Sequence, residues 1–405
     1  MIPIPYICFM KAVTIFKTLV LGALVSLVSY NREIRIDDNL PAGNIIVEKM
    51  SGDTVYVKPD LRDTEGEWFY WAMRVQGAQG KTLVFKFPFA CVGVRGAVVS
   101  LDKGKTFTFA GNESRYWYSF TWTFGPKDKD VYFYECHPYL LADWNSFVSS
   151  IDKEDISLGV LCHSREGKDV PEATIGRRDG QAEHKVVISA RHHCSETMAS
   201  YVMEGIVKGF LADDNTGKWL RDNVELTIVP FIDYDGAMKG DQGKNRRPHD
   251  HNRDYTEFLY PETKALTELW TEKCPEIILD LHCPWIYGEL NNEHVYCPRG
   301  DPAITPNMEA EDYFLSLVEK EAKGLPYQVS GNIPYGTNWN NNQNYAQGLS
   351  SLQWARMNAP GAQVCCCFEI PFANARGTEV NPESARVFGT SIAAAIAGYF
   401  KESRF

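Results

Sequence analysis

Residues 190–205 read ARHHCSETMASYVMEG: two adjacent histidines, a glutamate three residues after the second, then an apolar run of helical character. One explanation for His193 and Glu196 is ordinary. A carboxylate sits at the positive end of a helix, with polar loop residues before it. The other is chemical. An imidazole and a carboxylate on one loop supply two of the three protein ligands of a catalytic zinc, whose fourth position stays open. HExxH, the commoner helical zinc pair, is absent. The third ligand must come from another strand end, and His282 closes the apolar run EIILDLH.

Between these residues lies DQGKNRRPHDHNRDY, residues 241–255, a basic, turn-rich loop in an otherwise acidic chain. Read plainly, it is a solvated loop. Read as a site, Asn252 and Arg253 form a fork suited to a carboxylate, and Asp250 can orient a metal-bound imidazole from behind. Glu369 stands within the apolar run QVCCCFEIPF. A carboxylate there is costly unless it is paired or used, and glutamate is the right type for a general base acting on a metal-bound water.

These residues need strand ends to hold them. From about Ile156 the sequence alternates between strand and helix: HKVVISA, then ETMASYVMEGIVKGFLA; VELTIVPFI, then PETKALTELWTEK; PEIILDLHC, then NMEAEDYFLSLVEKEAKG; QVCCCFEIPF, then NPESARVFGTSIAAAIAGYFKE. That rhythm predicts an α/β domain over residues 151–405, with a mixed, mostly parallel sheet flanked by helices and its site at the carboxyl ends of the strands. NWNNNQN (338–344) is expected to be an exposed polar loop. Before it, residues 30–150 are rich in aromatic and β-branched runs such as GEWFYWAMRV and DVYFYECHPY, broken by turn residues. Short strands at that spacing predict an all-β, sandwich-like domain. LLADWNSFVSSIDKED (140–155) is the expected helical connector.

The formal net charge of −11 over 405 residues argues against a nucleic acid as partner. Lys11 and Lys17 precede the run TLVLGALVSLVS, and residues 1–29 resemble an export signal. Export is therefore expected, with no stable membrane span once the signal is removed, since the run is short for a span. The eleven cysteines oppose this: their number is odd, three are consecutive, and no CxxC occurs. That usage leans towards reduced thiols and the cytoplasm.

The ordered set of HxxE, an NR-containing loop, a strand-end histidine and a late strand glutamate resembles the zinc carboxypeptidases, in particular the cytosolic carboxypeptidase-like branch and its bacterial relatives. That branch carries a β-rich domain before the catalytic one, so the resemblance covers nearly everything after the signal-like run. It implies one zinc held by His193, Glu196 and His282, with Asp250 behind the ligands. Asn252, Arg253 and a mobile tyrosine would hold the terminal carboxylate of a peptide or protein substrate. Tyr345 fits that tyrosine, with Tyr335 as rival. Glu369 would be the base, and Arg246 (or Arg247) would polarise the scissile carbonyl. The branch often favours acidic C-terminal residues, for which Lys244 and Arg247 are candidate partners. Cys194 and Cys283 depart from the proline or glycine frequent beside the ligands and are read as small fillers. His192 is read as a bystander. The alternatives are a zinc amidohydrolase or deacylase, an enzyme trimming cell-wall peptides, or a binding module without catalysis.

Overall fold

The computed structural model describes residues 33–111 and 117–402, so the signal-like segment lies outside the described residues. Among the described residues no helix is long and apolar enough to cross a membrane.

Nine short strands come first: β1 (Arg35–Asp37), β2 (Ile46–Ser51), β3 (Thr54–Lys58), β4 (Ala72–Gln76), β5 (Thr82–Lys86), β6 (Val98–Ser100), β7 (Thr108–Phe109), β8 (Ser119–Thr123) and β9 (Asp130–Tyr134). They form two sheets, ordered β1-β4-β9-β6-β7 and β2-β3-β5-β8. Large rings from both fill the space between them. Trp71 stacks on Phe120 at 5.5 Å between centroids, and Phe85 meets Phe133 at 5.6 Å. Each such ring removes roughly 150–250 Å² from water, which is why so short a set of strands holds together. In GEWFYWAMRV only the alternating part joins a ladder, beginning at Ala72.

Helix α1 (Leu141–Ser149) leads into the second half. Its elements are β10 (Ile156–His163), β11 (Asp169–Gly176), β12 (His184–Ala190), α2 (Met198–Phe210), α3 (Asn215–Asn223), β13 (Val224–Val229), α4 (Tyr234–Lys239), α5 (Pro261–Lys273), β14 (Ile277–His282), α6 (Met308–Glu321), α7 (Ser351–Asn358), β15 (Val364–Glu369), the small hairpin β16 (Asn374–Ala375) and β17 (Thr378–Glu379), and α8 (Pro382–Glu402). The central sheet is ordered β10-β11-β13-β12-β14-β15. β12 pairs parallel with both β13 and β14, and β14 with β15, while β10 and β11 join antiparallel at one edge. The buried strands are the apolar runs of the sequence, as expected for a sheet covered on both faces. The β10–β11 hairpin had no such signature. Leu158 and Val160 of β10 are exposed, so its pattern follows solvent rather than core.

Helix α8 lies against α2 at close range. Gly389 makes this possible: a Cβ there would stand 2.1 Å from Val202 O. One apolar core then runs from the sandwich into the central sheet, so from Ile34 the described residues form one compact unit. The ten described cysteines are all unpaired.

Glu135, directly after β9, is 2% exposed. Burial pushes its carboxyl up to about 8, opposed by the neighbouring Cys136 thiol. The folded state therefore keeps a proton that the unfolded chain releases above the usual carboxylate range. Stability at this group is lost as pH rises from about 4.5 to about 8. Glu135→Gln should raise the melting temperature more at pH 8.5 than at pH 5; scanning calorimetry at both values checks it.

Candidate active site

The three central parallel strands deliver their carboxyl ends to one place, as open parallel sheets do. β12 ends in the loop carrying His193 and Glu196, β14 ends at His282, and β15 ends at Glu369. The register sets His282 directly beside Glu369. Glu196 lies between the two imidazoles. Its Oε1 is 2.8 Å from His193 Nδ1 and its Oε2 is 2.8 Å from His282 Nδ1. All three residues are buried, and a ligand atom from each lies within 4.8 Å of the others.

The rear of each imidazole meets an aspartate. His193 Nε2 is 3.3 Å from Asp250 Oδ1, and His282 Nε2 is 2.9 Å from Asp280 Oδ2. Burial alone would neutralise these carboxyls, but the facing imidazoles hold both well below the usual range. Asp280 escaped the sequence reading. Its signal was present: it is a lone acid in an apolar strand, two residues before His282 and so on the same face. Ser189 and Ser351 donate to its two oxygens at 2.8 and 2.6 Å. His192, read as a bystander, belongs to this support, with Nδ1 2.9 Å from Asp280 Oδ1. His192, Asp280 and His282 form a second cluster of possible metal donors. His192, however, is fully buried behind His282, whereas His193, Glu196 and His282 all line a cavity of about 370 Å³.

The donor set tests well for zinc. Two imidazole nitrogens and one carboxylate converge on the cavity wall; the rear nitrogen of His282 bonds Asp280, and that of His193 approaches Asp250. Glu369 Oε2 is buried without a hydrogen-bond partner among the described residues, an orphaned acceptor beside the donor set. Burial pushes the Glu369 carboxyl up to about 7, while His282 opposes the shift and the Glu196 charge adds to it.

Asn252 and Arg253 also line the cavity. They occupy a single helical turn, His251–Arg253, that Asp250 caps by accepting from Asn252 N at 2.8 Å. Asn252 Oδ1 accepts from Ser351 N at 2.9 Å, and Arg253 Nε donates to Asn344 O at 2.7 Å. The Arg253 guanidinium lies 4.9 Å from the centre of the Tyr345 ring. Tyr345 and Tyr335 both reach the cavity; the Tyr345 hydroxyl donates to Asn340 at 3.0 Å. The polar run 338–344 is exposed at Asn338, Asn342 and Gln343, as expected, but its Trp339 and Asn344 line the cavity and Asn340 is only 1% exposed.

Arg246 is elsewhere. Its guanidinium is shared by Asp63 at 2.9 Å, Asp241 at 2.6 Å and Asp233. It is absent from the cavity lining, and Arg247 pairs with exposed Glu65 outside it. Of the loop's Lys244, Arg246 and Arg247, it is Lys244 that lines the cavity. Gly243, at φ +92°, lets this segment press on the ligand loop, since a Cβ there would meet Cys194 N at 2.6 Å. Burial lowers the Lys244 pKa, as does Arg253, while Asp250, Glu196 and Glu369 oppose the shift. Cys194 is a buried filler whose thiol donates to Asp241 O at 3.1 Å; Cys283 lines the cavity and its N–H donates to Glu196 Oε2 at 3.1 Å.

Residues 148–257 match the family model described as zinc carboxypeptidase. Cytosolic carboxypeptidase 3 of Mus musculus is 31% identical over 190 residues, covering 42% of this chain and 19% of that protein. Over these segments the chain is similar to zinc carboxypeptidases. Cytosolic carboxypeptidase 2 of Xenopus tropicalis is also 31% identical, over 203 residues, covering 45% and 21% of the two chains. The matched part thus spans about a fifth of the length of these curated relatives. The fold, central sheet and sandwich together, is shared with metallo-carboxypeptidases of Burkholderia cenocepacia and Pseudomonas aeruginosa. Their TM-scores are 0.74 and 0.73 and their identities 22% and 21%; both cover 91% of this chain, and 99% and 100% of those chains.

Arg246→Ala would leave three carboxylates facing one another at a largely buried point. It should cost about 3–5 kcal/mol of folding stability, the penalty for breaking a buried pair. Denaturant unfolding reads this directly, and a variant as stable as the wild type would contradict the structural role.

Proposed function

We propose that this protein is a zinc carboxypeptidase that removes C-terminal residues from peptides or proteins. The observation that carries the reading is the convergence of His193, Glu196 and His282 on one cavity with Glu369 and the Asn252–Arg253 pair. His193, Glu196 and His282 would hold the zinc, with Asp250 and Asp280 orienting the imidazoles. When bound, the zinc supplies Lewis-acid polarisation and lowers the pKa of a coordinated water.

The chain's own residues do the rest. Asn252 and Arg253, with Tyr345 beside them, grip the substrate's terminal carboxylate, which makes the activity exo rather than endo. Glu369 takes a proton from the attacking water and returns it to the leaving amine. Its register beside His282 keeps that short path constant. Lys244 donates to the carbonyl oxygen as negative charge develops there. This role falls to Lys244 because Arg246 is already occupied by three carboxylates.

The substrate class we infer is a C-terminus ending in an acidic side chain. Arg299 and Arg356 both line the cavity, while their partners Asp312 and Glu311 do not. The cavity therefore meets the cations of these pairs rather than the anions.

Four outcomes follow. Mass spectrometry on the purified protein should find about one zinc per chain, lost in His193→Ala and His282→Ala, and Asp280→Ala should weaken zinc about 10–100-fold. Zinc retained in both histidine variants would remove this ligand set. Glu369→Gln should keep zinc and substrate binding yet lose at least about 100-fold in kcat. Lys244→Ala should lower kcat about 100–1,000-fold with little change in melting temperature. Peptides ending in glutamate should exceed those ending in leucine by about 10–100-fold in kcat/KM, the worth of a charge-assisted contact.

A further inference from the structure

A run of aromatic rings leads out of the catalytic cavity, and the chemistry above uses none of it. Trp68 meets Trp285 edge-on at 4.9 Å between centroids, and Phe69 meets Trp285 at 5.1 Å. Trp285 meets Tyr287 at 5.7 Å, and Tyr287 stacks on Trp117 at 5.0 Å. Trp68, Phe69 and Trp285 line the cavity, whereas Tyr287 and Trp117 lie beyond its lining. At the outer end Trp117 is 39% exposed and Tyr118 is 56% exposed. The sandwich contributes Trp68, Phe69 and Trp117; the loop just after His282 contributes Trp285 and Tyr287.

Wide ring faces gathered at a surface are a recurring mark of a binding site. The run is continuous with the cavity, and that continuity identifies its occupant. Asn252, Arg253 and Tyr345 belong to other segments and would fix the end of the substrate. Any longer chain must then leave through the cavity mouth, along whatever wall leads to solvent.

We propose that Trp285, Tyr287 and Trp117 form an extended subsite for substrate residues upstream of the scissile bond. The occupant is a peptide segment with apolar or aromatic side chains at those positions. This inference rests on the carboxypeptidase reading above, and it adds that the sandwich helps to choose the substrate.

The test compares zinc-loaded wild type, Tyr287→Ala and Trp117→Ala on two peptides with the same last two residues: a blocked dipeptide and a hexapeptide with apolar upstream residues. Each variant should lose about tenfold in kcat/KM on the hexapeptide and less than about twofold on the dipeptide. Equal losses on both lengths, or none on either, would overturn the subsite. Wild type that cleaves neither peptide would instead sink the catalytic reading. The subsite is then judged by tryptophan-fluorescence titration with the hexapeptide. Binding weakened about tenfold in both variants keeps it, and binding unchanged from wild type removes it.

Discussion

The structure turns on one carboxylate. Glu196 is buried between two imidazoles, and an ion in that position is stable only when every neighbour is set against its charge. His193 and His282 meet its two oxygens, and a backbone N–H adds a third contact. Asp250 and Asp280 then fix the imidazoles from behind, which obliges Ser189, His192, Ser351 and the turn at Asn252 to take up positions of their own. The polar interior is thus a chain of obligations leading outward from one group. It explains why residues far apart in sequence share one cavity.

The parallel sheet makes that chain possible. Three neighbouring strands end at the same level, and β14 and β15 bring an imidazole and a carboxylate side by side through register alone. Loops could carry the same residue types, but their mobility would blur the geometry. The basic loop 241–253 is held differently, by ion pairs to Asp63 and Glu65 of the N-terminal region and by Gly243 pressed on the ligand loop.

Much of this was legible beforehand, for physical reasons. The apolar strands of the central sheet and the long amphipathic helices carry strong periodicity, and His193, Glu196, His282 and Glu369 sit at strand ends where such sheets concentrate chemistry. The edge hairpin β10–β11 was not legible because half-exposed strands lose their contrast. Asp280 was overlooked although the argument applied to Glu369 applied equally to it. Arg246 was misassigned because a basic loop does not reveal which cation faces inward. Asp63, nearly two hundred positions earlier, decides that question. The polar run 338–344 read as solvent because asparagines favour loops, but Asn340 is buried by holding Arg299 O, Ile333 O and the Tyr345 hydroxyl.

The link between Asp63 and Arg246 has an architectural meaning. Residues 60–69 supply one of the three counter-charges of Arg246 and, through Trp68 and Phe69, part of the cavity wall. The sandwich is therefore not a detachable module. A cut near residue 150 would leave Arg246 short of one counter-charge and open one flank of the cavity. A change at Asp63 therefore falls on Arg246, 183 positions away in the sequence.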